Sequence, residues 1–286
     1  MDSNTTQRRP TLSVIVPASN EAALIGRCLR AVAASRGLWP GAIDAIVVAN
    51  GCRDETAAVA RAEAPGFAAQ GWTLQVIERA EGGKLAALNA GDAAARSAMR
   101  VYLDADVTVG PDLLMQLAEV LDDDAPRYAS GAVQIAAPDN WASRAYARIW
   151  RQVPFMAQGV PGCGLFAVNA AGRARWGAFP DIISDDTFVR LSFAPEERIR
   201  VGAPYRWPIA EGLGNLVRVR QRQDRGVSEI TERFPHLLAN DDKPAFPAAA
   251  KLGLALRDPA GFAVYAGVAL LVRLGLGGKT GWSRGR

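Results

Sequence analysis

The sequence contains a single histidine, His236, and only three cysteines in 286 residues. Most zinc hydrolase sites and Ser-His-Asp hydrolases need positioned imidazoles, so the scarcity of histidine argues against both classes. The cysteines, Cys28, Cys52 and Cys163, lie far apart and form no C-x-x-C motif, which argues against a disulfide framework and a cysteine zinc site. We therefore expect a reducing compartment and a chemistry that relies on carboxylates and bound cations.

The sequence also lacks a strong bias toward one charge. The 33 basic and 29 acidic residues leave a net charge of only +4, so no nucleic-acid partner is expected. With 49% apolar and 22% charged residues the composition is that of an ordinary globular protein. The first ten residues include no apolar stretch, so we expect no signal peptide and an N-terminus that stays in the cytoplasm.

One apolar run, residues 260–272, is thirteen residues long, whereas a spanning helix needs about 20. Residues 251–286 carry six basic residues against one acidic residue. Apolar stretches between cations are typical of a helix lying on an anionic membrane surface. The alternative is a buried C-terminal helix that packs on the sheet, and the sequence leaves both readings open.

The pattern along the chain predicts an α/β fold. Short β-branched runs at residues 12–16, 43–48, 72–77 and 100–103 alternate with alanine-rich stretches of helical spacing. This alternation predicts a mainly parallel, Rossmann-like sheet with helices on both faces. We expect Ser19 or Asn20 to cap the first helix, and a second helix over residues 57–64 after Asp54. Further on, the pattern predicts helices at 112–121 and 141–155 and strands at 128–134 and 165–168.

Polar loops follow the first two predicted strands. Pro17 and Glu21 belong to the first loop, and Asn50 and Asp54 belong to the second. Ligands of open α/β sheets bind beyond the carboxyl ends of the strands, so these loops suit a polar heterocycle and a ribose. Plain helix capping is the alternative for either loop taken alone.

A Gly-Gly-Lys segment, residues 82–84, opens the next predicted helix. Exposed amides at a helix N-terminus bind phosphate, so a diphosphate could lie there with Lys84 supplying charge. The segment is not a P-loop, because Leu85 stands where that motif needs a hydroxyl. The alternative is a turn with a solvated lysine.

The fourth predicted strand ends in Asp104-Ala105-Asp106. Residues two apart on an extended chain face the same way, so both carboxylates point to one place beyond the sheet. An all-oxygen pair with room for phosphate oxygens suits Mg²⁺ or Mn²⁺. A solvated aspartate pair in a turn is the alternative.

Four motifs in this order resemble family-two glycosyltransferases with the GT-A fold. They are V-I-V-P-A-S-N-E, V-V-A-N-G-C-R-D-E-T, G-G-K-L-A-A-L-N-A-G and Y-L-D-A-D-V, spread over residues 14–107. The resemblance implies a nucleotide diphosphate-sugar donor bound by Pro17, Glu21, Asn50, Asp54, Lys84, Asn89 and Asp104. It also implies a metal held by Asp104 and Asp106. Ala49 stands where many members have an acidic residue, so the base is not identified and UDP is taken by default.

The second half of the chain resembles the same family more loosely. Asp185 and Asp186 match an acidic pair that opens a helix, which implies that Asp186 deprotonates the acceptor and that Asp185 positions it. A capped helix N-terminus, with Ser184 as the cap, is the alternative. The turn with Gly162, Cys163 and Gly164 resembles the segment that lines the acceptor pocket. Near residues 218–225 the sequence resembles the arginine-rich loop of non-processive relatives, and Arg222 and Arg225 are assigned to the departing diphosphate. A solvated face that binds anionic lipid is the alternative for this cluster.

These expectations define four segments and one reaction. Residues 1–11 form a disordered lead-in, 12–106 the donor half, 107–235 the acceptor half of the same domain, and 236–286 a helical tail. The expected activity is inverting transfer of one sugar to a glycan or lipid-linked acceptor, by an enzyme peripheral on the cytoplasmic face of the membrane. A sugar-phosphate nucleotidyltransferase and a non-catalytic scaffold remain alternatives.

Overall fold

The computed structural model describes residues 11–276. Its centre is a sheet to which the described residues contribute eight strands, and all but the two at residues 108–109 and 198–207, which were not predicted, follow predicted strands closely. The strands are β1 (Leu12–Ala18), β2 (Ile43–Asn50), β3 (Thr73–Arg79), β4 (Met99–Leu103), β5 (Thr108–Val109), β6 (Tyr128–Ile135), β7 (Leu165–Val168) and β8 (Arg198–Trp207).

The strands follow the order β3-β2-β1-β4-β7-β6-β8-β5. β1 pairs in parallel with both β2 and β4, β2 pairs in parallel with β3, and β6 pairs in parallel with β8. β7 and β5 run against their neighbours. The chain reverses its winding between β1 and β4, and this switch point is where α/β sheets bind ligands.

Helices cover both faces of this sheet. They are α1 (Ile25–Ala33), α2 (Thr56–Ala62), α3 (Ala64–Ala69), α4 (Lys84–Ala94), α5 (Leu113–Leu121), α6 (Trp141–Trp150), α7 (Pro154–Gln158), α8 (Ala170–Arg173), α9 (Asp185–Leu191), α10 (Leu213–Arg233), α11 (Ala248–Arg257) and α12 (Pro259–Arg273).

Successive side chains of β1 point alternately to the two faces of the sheet and contribute to two hydrophobic cores. Val14 and Val16 join the core formed with α1 and α5, whereas Ile15 joins the core formed with α4 and α9. All three side chains are fully buried. Successive strand residues point to opposite faces, so a strand covered on both sides is apolar throughout. The predicted mainly parallel sheet with helices on both faces is thereby confirmed.

The predicted cap of the first helix is wrong. α1 begins at Ile25 after a turn in which the backbone carbonyl of Glu21 accepts the amides of Leu24 and Ile25 at 2.9 Å. Asn20 instead has a positive φ of 53°, and its side-chain oxygen accepts the amide of Arg53 at 2.7 Å. The asparagine therefore ties the two polar loops together rather than capping a helix.

Two predicted helices are each divided in the structure. Residues 57–64 belong to α2 and to the start of α3, where Pro65 lies at the N-terminus. The helix predicted over 141–155 ends at Trp150, and Pro154 opens α7. Proline is tolerated in the first turn of a helix but not in its interior, so each helix restarts at the proline.

The C-terminal helices pack on the helical layer beside the sheet. α12 contacts α6 and α10, and Val268 is buried among Tyr146, Leu216 and their neighbours. This packing agrees in part with the alternative of a buried helix on the sheet, because Ile135 of β6 and Trp207 of β8 pack against the same cluster. Among residues 11–276, no helix combines the length and apolar character required to cross a membrane. The lead-in before residue 11 and the basic residues after 276 lie outside the described residues, and the division at residues 106 and 107 stays a prediction.

Candidate active site

A cavity of about 500 Å³ opens beyond the carboxyl ends of β1, β2 and β4. It lies at the switch point of the sheet, and it brings together most of the side chains singled out in the sequence. Those in its wall are Pro17, Glu21, Asn50, Lys84, Asp104, Asp106, Gly162, Gly164, Asp185, Asp186 and Arg222. Segments from both halves of the chain therefore contribute to one site.

Four predicted residues lie outside this wall. The carboxylate of Asp54 accepts the backbone amides of Ala22 and Thr56, and it holds the two polar loops in place. Asn89 exchanges hydrogen bonds with the backbone of Phe179 at 2.7 and 3.2 Å. Cys163 lies between the two glycines, and Arg225 lies on α10.

Asn50 connects three parts of the donor side. Its amide nitrogen donates to the carbonyl of Ala18 at 2.9 Å, and its oxygen accepts the amide of Gly83 at 2.9 Å. The next residue, Gly51, has a φ of +58°, and a Cβ there would lie 2.7 Å from the amide nitrogen of Gly82. The Gly-Gly-Lys segment thus lies directly against the second loop, and only glycine permits this approach.

Lys84 occupies the first position of α4, and its ammonium group joins the two acidic motifs. The Nζ atom lies 3.0 Å from Oδ1 of Asp104 and 3.1 Å from Oδ2 of Asp185. Burial would lower the pKa of Lys84, but the carboxylates of Asp104 and Asp185 outweigh it and hold the pKa above its ordinary value. The lysine is therefore a fixed cation at the centre of the cavity.

The Asp104-Ala105-Asp106 segment forms a tight turn at the end of β4. The amide of Asp104 donates to the carbonyl of Gly164 at 2.8 Å, and the amide of Val107 donates back to Asp104 at 3.1 Å. Ala105 is buried in the core, whereas both aspartates line the cavity. The ion pair with Lys84 disfavours the alternative of a solvated aspartate pair.

The chemistry of this pair fits a divalent cation that also binds substrate. In the described part of the chain, no group of three His, Cys, Asp or Glu side chains is arranged to hold a metal. Mg²⁺ and Mn²⁺ are commonly held by one or two carboxylates together with water and substrate phosphates. Asp104 and Asp106 supply two such carboxylates on one wall, so they fit a cation completed by a diphosphate.

Asp185 and Asp186 open α9, as predicted. Asp185 is buried, and the carboxylate of Asp186 is half-buried and accepts the amide of Thr187 at 2.7 Å. Burial, and then the charge of Asp185, raises the pKa of Asp186 to about 6. Ser184 makes no side-chain cap, so the alternative of a serine-capped helix start is not what the structure shows.

α10 supports the turn before this acidic pair, and the sequence did not reveal this contact. The carboxylate of Glu229 accepts the amide of Ile183 at 2.8 Å. A Cβ at Gly226 would lie 2.1 Å from Oγ of Ser184, so α10 approaches the turn closely. Glu229 is one of several charged residues on a long polar helix, and nothing in its local sequence distinguishes it from a solvated side chain.

The turn at residues 162–164 needs its glycines for conformation and for space. Gly162 and Gly164 have φ values of +66° and +70°. A Cβ at Gly162 would lie 1.9 Å from the hydroxyl of Tyr128, and one at Gly164 would lie 2.7 Å from the ring of Trp207. Burial raises the pKa of the intervening Cys163, which disfavours a nucleophilic thiolate.

The side of the cavity away from the donor loops is aromatic and apolar. The ring centroids of Trp207 and Trp150 lie 5.3 Å apart, and those of Trp150 and Tyr146 lie 5.5 Å apart. Ile209 and Leu216 line the same side. Tyr146 and Trp150 lie in the segment predicted as a helix over residues 141–155, but no motif in the sequence assigned them to the site.

The arginine cluster is helical rather than a loop as the resemblance implied. It forms the first half of α10, where Arg220 and Arg222 reach the cavity wall. The guanidinium of Arg220 also pairs with Asp224 at 2.9 Å, one helical turn further on. The arginines that face the cavity are therefore those on one side of this long helix.

Comparisons with solved structures show the same fold. The mannosyltransferase PcManGT from Pyrobaculum calidifontis, solved with GDP-Man and Mn²⁺, is 23% identical with a TM-score of 0.59, and the match covers 96% of this chain and 77% of that one. TarS 1–349 from S. aureus, solved with UDP, is 12% identical with a TM-score of 0.53, covering 93% and 92%. Glucosyl-3-phosphoglycerate synthase from M. tuberculosis is 19% identical with a TM-score of 0.52, covering 78% and 80%.

At these identities the likeness concerns the fold, and it confirms the expected GT-A architecture. A search of curated proteins gave no match. The sequence profile described as Glycosyl transferase family 2 matches residues 13–173, which is more than half of the chain. The chain therefore belongs to glycosyl transferase family 2 and is a glycosyltransferase.

Proposed function

We propose that this protein is an inverting, metal-dependent glycosyltransferase that moves one sugar from a nucleotide diphosphate-sugar to an acceptor hydroxyl. One observation carries the proposal. Lys84 lies between Asp104 of the expected metal site and Asp185 of the expected acceptor site, at 3.0 and 3.1 Å. The groups needed to neutralise a leaving diphosphate and to receive a proton therefore lie next to each other in a single cavity.

The donor is proposed to lie across the carboxyl ends of β1 and β2. Pro17, Glu21 and Asn50 line this end of the cavity and suit the base and ribose, and the ammonium of Lys84 suits the diphosphate. The related structures contain GDP-Man in one case and UDP in another, so they favour no single base. We keep a UDP-sugar as the default donor.

Asp104 and Asp106 are the residues that would hold Mg²⁺ or Mn²⁺. Such a cation supplies positive charge against the phosphate oxygens as they become more negative. Lys84 and Arg222 supply further fixed charge from the protein, without reorganisation at the moment of reaction.

The protein's own part in the reaction centres on Asp186. Its carboxylate is proposed to take the proton of the acceptor hydroxyl as that oxygen attacks the anomeric carbon. The bond from this carbon to the diphosphate breaks as the new bond to the acceptor oxygen forms, so the configuration inverts. The nucleoside diphosphate leaves with the bonding electron pair, and the proton stays on Asp186. Asp185 is proposed to hold the acceptor hydroxyl in position.

The acceptor is proposed to be a lipid-linked or envelope glycan, in polysaccharide or glycolipid assembly. The turn with Gly162, Cys163 and Gly164 borders the acceptor side, and the aromatic residues Trp150 and Trp207 extend it. An apolar wall next to a carboxylate suits an acceptor with both polar and apolar parts. We place the enzyme at the cytoplasmic face of an anionic membrane, which its three free cysteines support because they fit a reducing compartment.

The test uses the purified full chain and a panel of nucleotide sugars. Release of nucleoside diphosphate is measured with Mn²⁺ and with a chelator. We expect metal-dependent release from one donor and loss of that release in Asp186→Asn when an acceptor is present. The family match favours transfer over nucleotidyl transfer or a scaffold role, and failure of every donor would overturn the proposal.

A further inference from the structure

The outer surface of α11 and α12 is apolar where a surface helix is normally polar. Within residues 11–276, five of the nine exposed large hydrophobic residues lie in this short stretch, with exposed fractions from 57 to 74%. They are Leu252, Leu256, Leu270, Leu274 and Leu276. Exposed apolar groups scattered singly are ordinary, but a concentration of them indicates an interaction surface.

α12 illustrates this most clearly. Its inner side packs on the protein through Val264 and Val268, and its outer side presents Ala263, Ala266 and Leu270. The only charged residue in the helix is Arg273, its last residue. A helix that faced water on its outer side would carry charged or polar residues there.

The two helices are firmly attached to the catalytic domain. The carboxylate of Asp258, between α11 and α12, accepts two hydrogen bonds from Arg148 of α6, at 2.6 and 3.0 Å. The ring of Tyr265 lies 5.4 Å from the ring of Tyr146, which itself lines the cavity. α12 is therefore a fixed part of the wall behind the aromatic side of the site.

Exposed cations adjoin these leucines along the chain. Lys251 and Arg257 belong to α11, and Arg273 ends α12. The single acidic residue of this stretch, Asp258, is already engaged by Arg148. The charge presented outward is therefore positive, which complements an anionic surface.

We infer that α11 and α12, which we call the C-terminal helix pair, bind the surface of an anionic lipid bilayer without crossing it. The leucines would enter the boundary between headgroups and acyl chains, and the three cations would face the lipid phosphates. A second copy of the chain fits less well, because a twofold interface would bring together two surfaces that are both positively charged. The C-terminal helix pair would be the part of the proposed enzyme that contacts the membrane. Binding of the protein to vesicles does not depend on catalysis.

Docking of the C-terminal helix pair would also orient the cavity toward the membrane. Because α12 contacts Tyr146 and Tyr146 lines the cavity, a docked helix pair brings the aromatic side of the cavity close to the bilayer. An acceptor held in the membrane by its apolar part would then present its hydroxyl toward Asp186. This consequence rests on the proposed function, whereas docking stands without it.

The test is co-sedimentation of the full chain with vesicles of phosphatidylcholine alone or with about one third phosphatidylglycerol. Two variants remove the leucines in pairs, Leu252→Ser with Leu256→Ser and Leu270→Ser with Leu274→Ser. The matched control changes two exposed leucines elsewhere, Leu213→Ser with Leu238→Ser. A third variant replaces Lys251, Arg257 and Arg273 by glutamine, and its control replaces the exposed Arg27, Arg36 and Arg200.

We expect at least tenfold weaker vesicle binding for each leucine pair and no change for the control pair. The Lys251, Arg257 and Arg273 variant should lose at least tenfold on anionic vesicles only, because each cation near such a surface contributes about 1 kcal/mol, or roughly fivefold. Equal binding by test and control variants would overturn the inference. So would leucine-dependent dimers in light scattering without vesicle binding. Asp186→Asn should bind vesicles normally, so a failure of docking is distinguishable from a failure of the proposed reaction.

Discussion

The Nζ atom of Lys84 lies 3.1 Å from Oδ2 of Asp185, so the first residue of α4 forms an ion pair with the first residue of α9. The two helices belong to different halves of the chain and meet only in the folded protein. Because the same ammonium group also binds Asp104, it offsets repulsion among carboxylates that share one cavity. Lys84 is therefore expected to serve substrate binding and the ionisation of its acidic neighbours together.

Replacing Lys84 by methionine should lower kcat/KM for donor by about 10²–10³-fold, a loss typical of removing one preorganised charge contact to a transition state. The charge of Lys84 also lowers the pKa of Asp186. The acidic limb of the pH profile should therefore move to higher pH in Lys84→Met. Lys84→Arg should restore this midpoint at least in part. Lys243→Met, an exposed lysine elsewhere, is the control, and an unmoved midpoint in Lys84→Met would contradict the assignment.

The pKa of about 6 at Asp186 predicts the pH dependence of transfer. A general base must be ionised, so kcat/KM should fall about tenfold per pH unit below 6 and level off above it. Asp186→Asn should reduce kcat by about 10²–10⁴-fold and remove this limb. The measurement is the pH-rate profile at saturating metal, and a limb that survives in the variant would assign the base elsewhere.

The same raised pKa predicts an effect on stability. An aspartate with a pKa near 3.9 when unfolded and about 6 when folded binds more protons in the folded state between these values. Its contribution to the free energy of unfolding therefore decreases as pH rises from about 4 to 6 and stays unfavourable above. Asp186→Asn should raise the melting temperature at pH 7.5, and the gain should vanish near pH 4. An equal gain at both pH values would show that ionisation is not the cause.

The metal assignment predicts a matched contrast between two aspartate pairs. Asp104→Asn with Asp106→Asn should abolish Mn²⁺ binding in the presence of a nucleoside diphosphate and reduce turnover at least 100-fold, in line with loss of a charge-neutralising cation. Asp122 and Asp124 have the same spacing but lie exposed on a distant loop, so their double asparagine variant should behave like the parent. Calorimetric titration with Mn²⁺ distinguishes the two pairs. Unchanged Mn²⁺ binding in the first variant would remove the metal from this site.

The glycine turn predicts a rescue experiment. Gly162→Ala should cost about 1–3 kcal/mol, because the new Cβ would lie 1.9 Å from the Tyr128 hydroxyl and φ is positive. Removing the hydroxyl, in Tyr128→Phe, should recover part of this loss in the double variant. Gly177→Ala has open space around it and is the control. Denaturant unfolding gives the coupling, and strictly additive losses would show that the hydroxyl is not the obstacle.

The local pattern of apolar residues in the sequence was sufficient to predict the parallel half of the sheet. β1 and β2 are buried along their whole length and mainly apolar because both faces of the sheet are covered. Mainly apolar runs that alternate with segments of helical spacing are typical of a parallel sheet. The loop residues Asn50 and Asp104 could be assigned to one edge for the same reason, because parallel strands end together. The start of the first helix could not be predicted in this way, because Asn20 binds the amide of Arg53, 33 residues away, instead of capping the helix.

Side chains that depend on distant partners could not be predicted. Asn89 belongs to a recognised motif yet bonds to Phe179, 90 positions further on. Arg225 looked equivalent to Arg222, but the path of α10 brings only Arg222 to the cavity wall. The spacing of residues in the sequence shows which of them share a helix face, whereas the direction of that face depends on packing, here mainly against α12 and also against α6 and α9.

The sequence by itself determined the layered fold, the family and the carboxylates on which catalysis is proposed to depend, because these follow from periodicity and short motifs. Tertiary structure decided that Lys84 would join Asp104 to Asp185, and that Trp150 and Trp207 would line one side of the cavity. It also decided that the C-terminal helices would face outward with their leucines exposed. The physical reason is that burial, ion pairing and exposure depend on which segments contact each other in the folded protein. The spacing of residues along the chain does not specify those contacts.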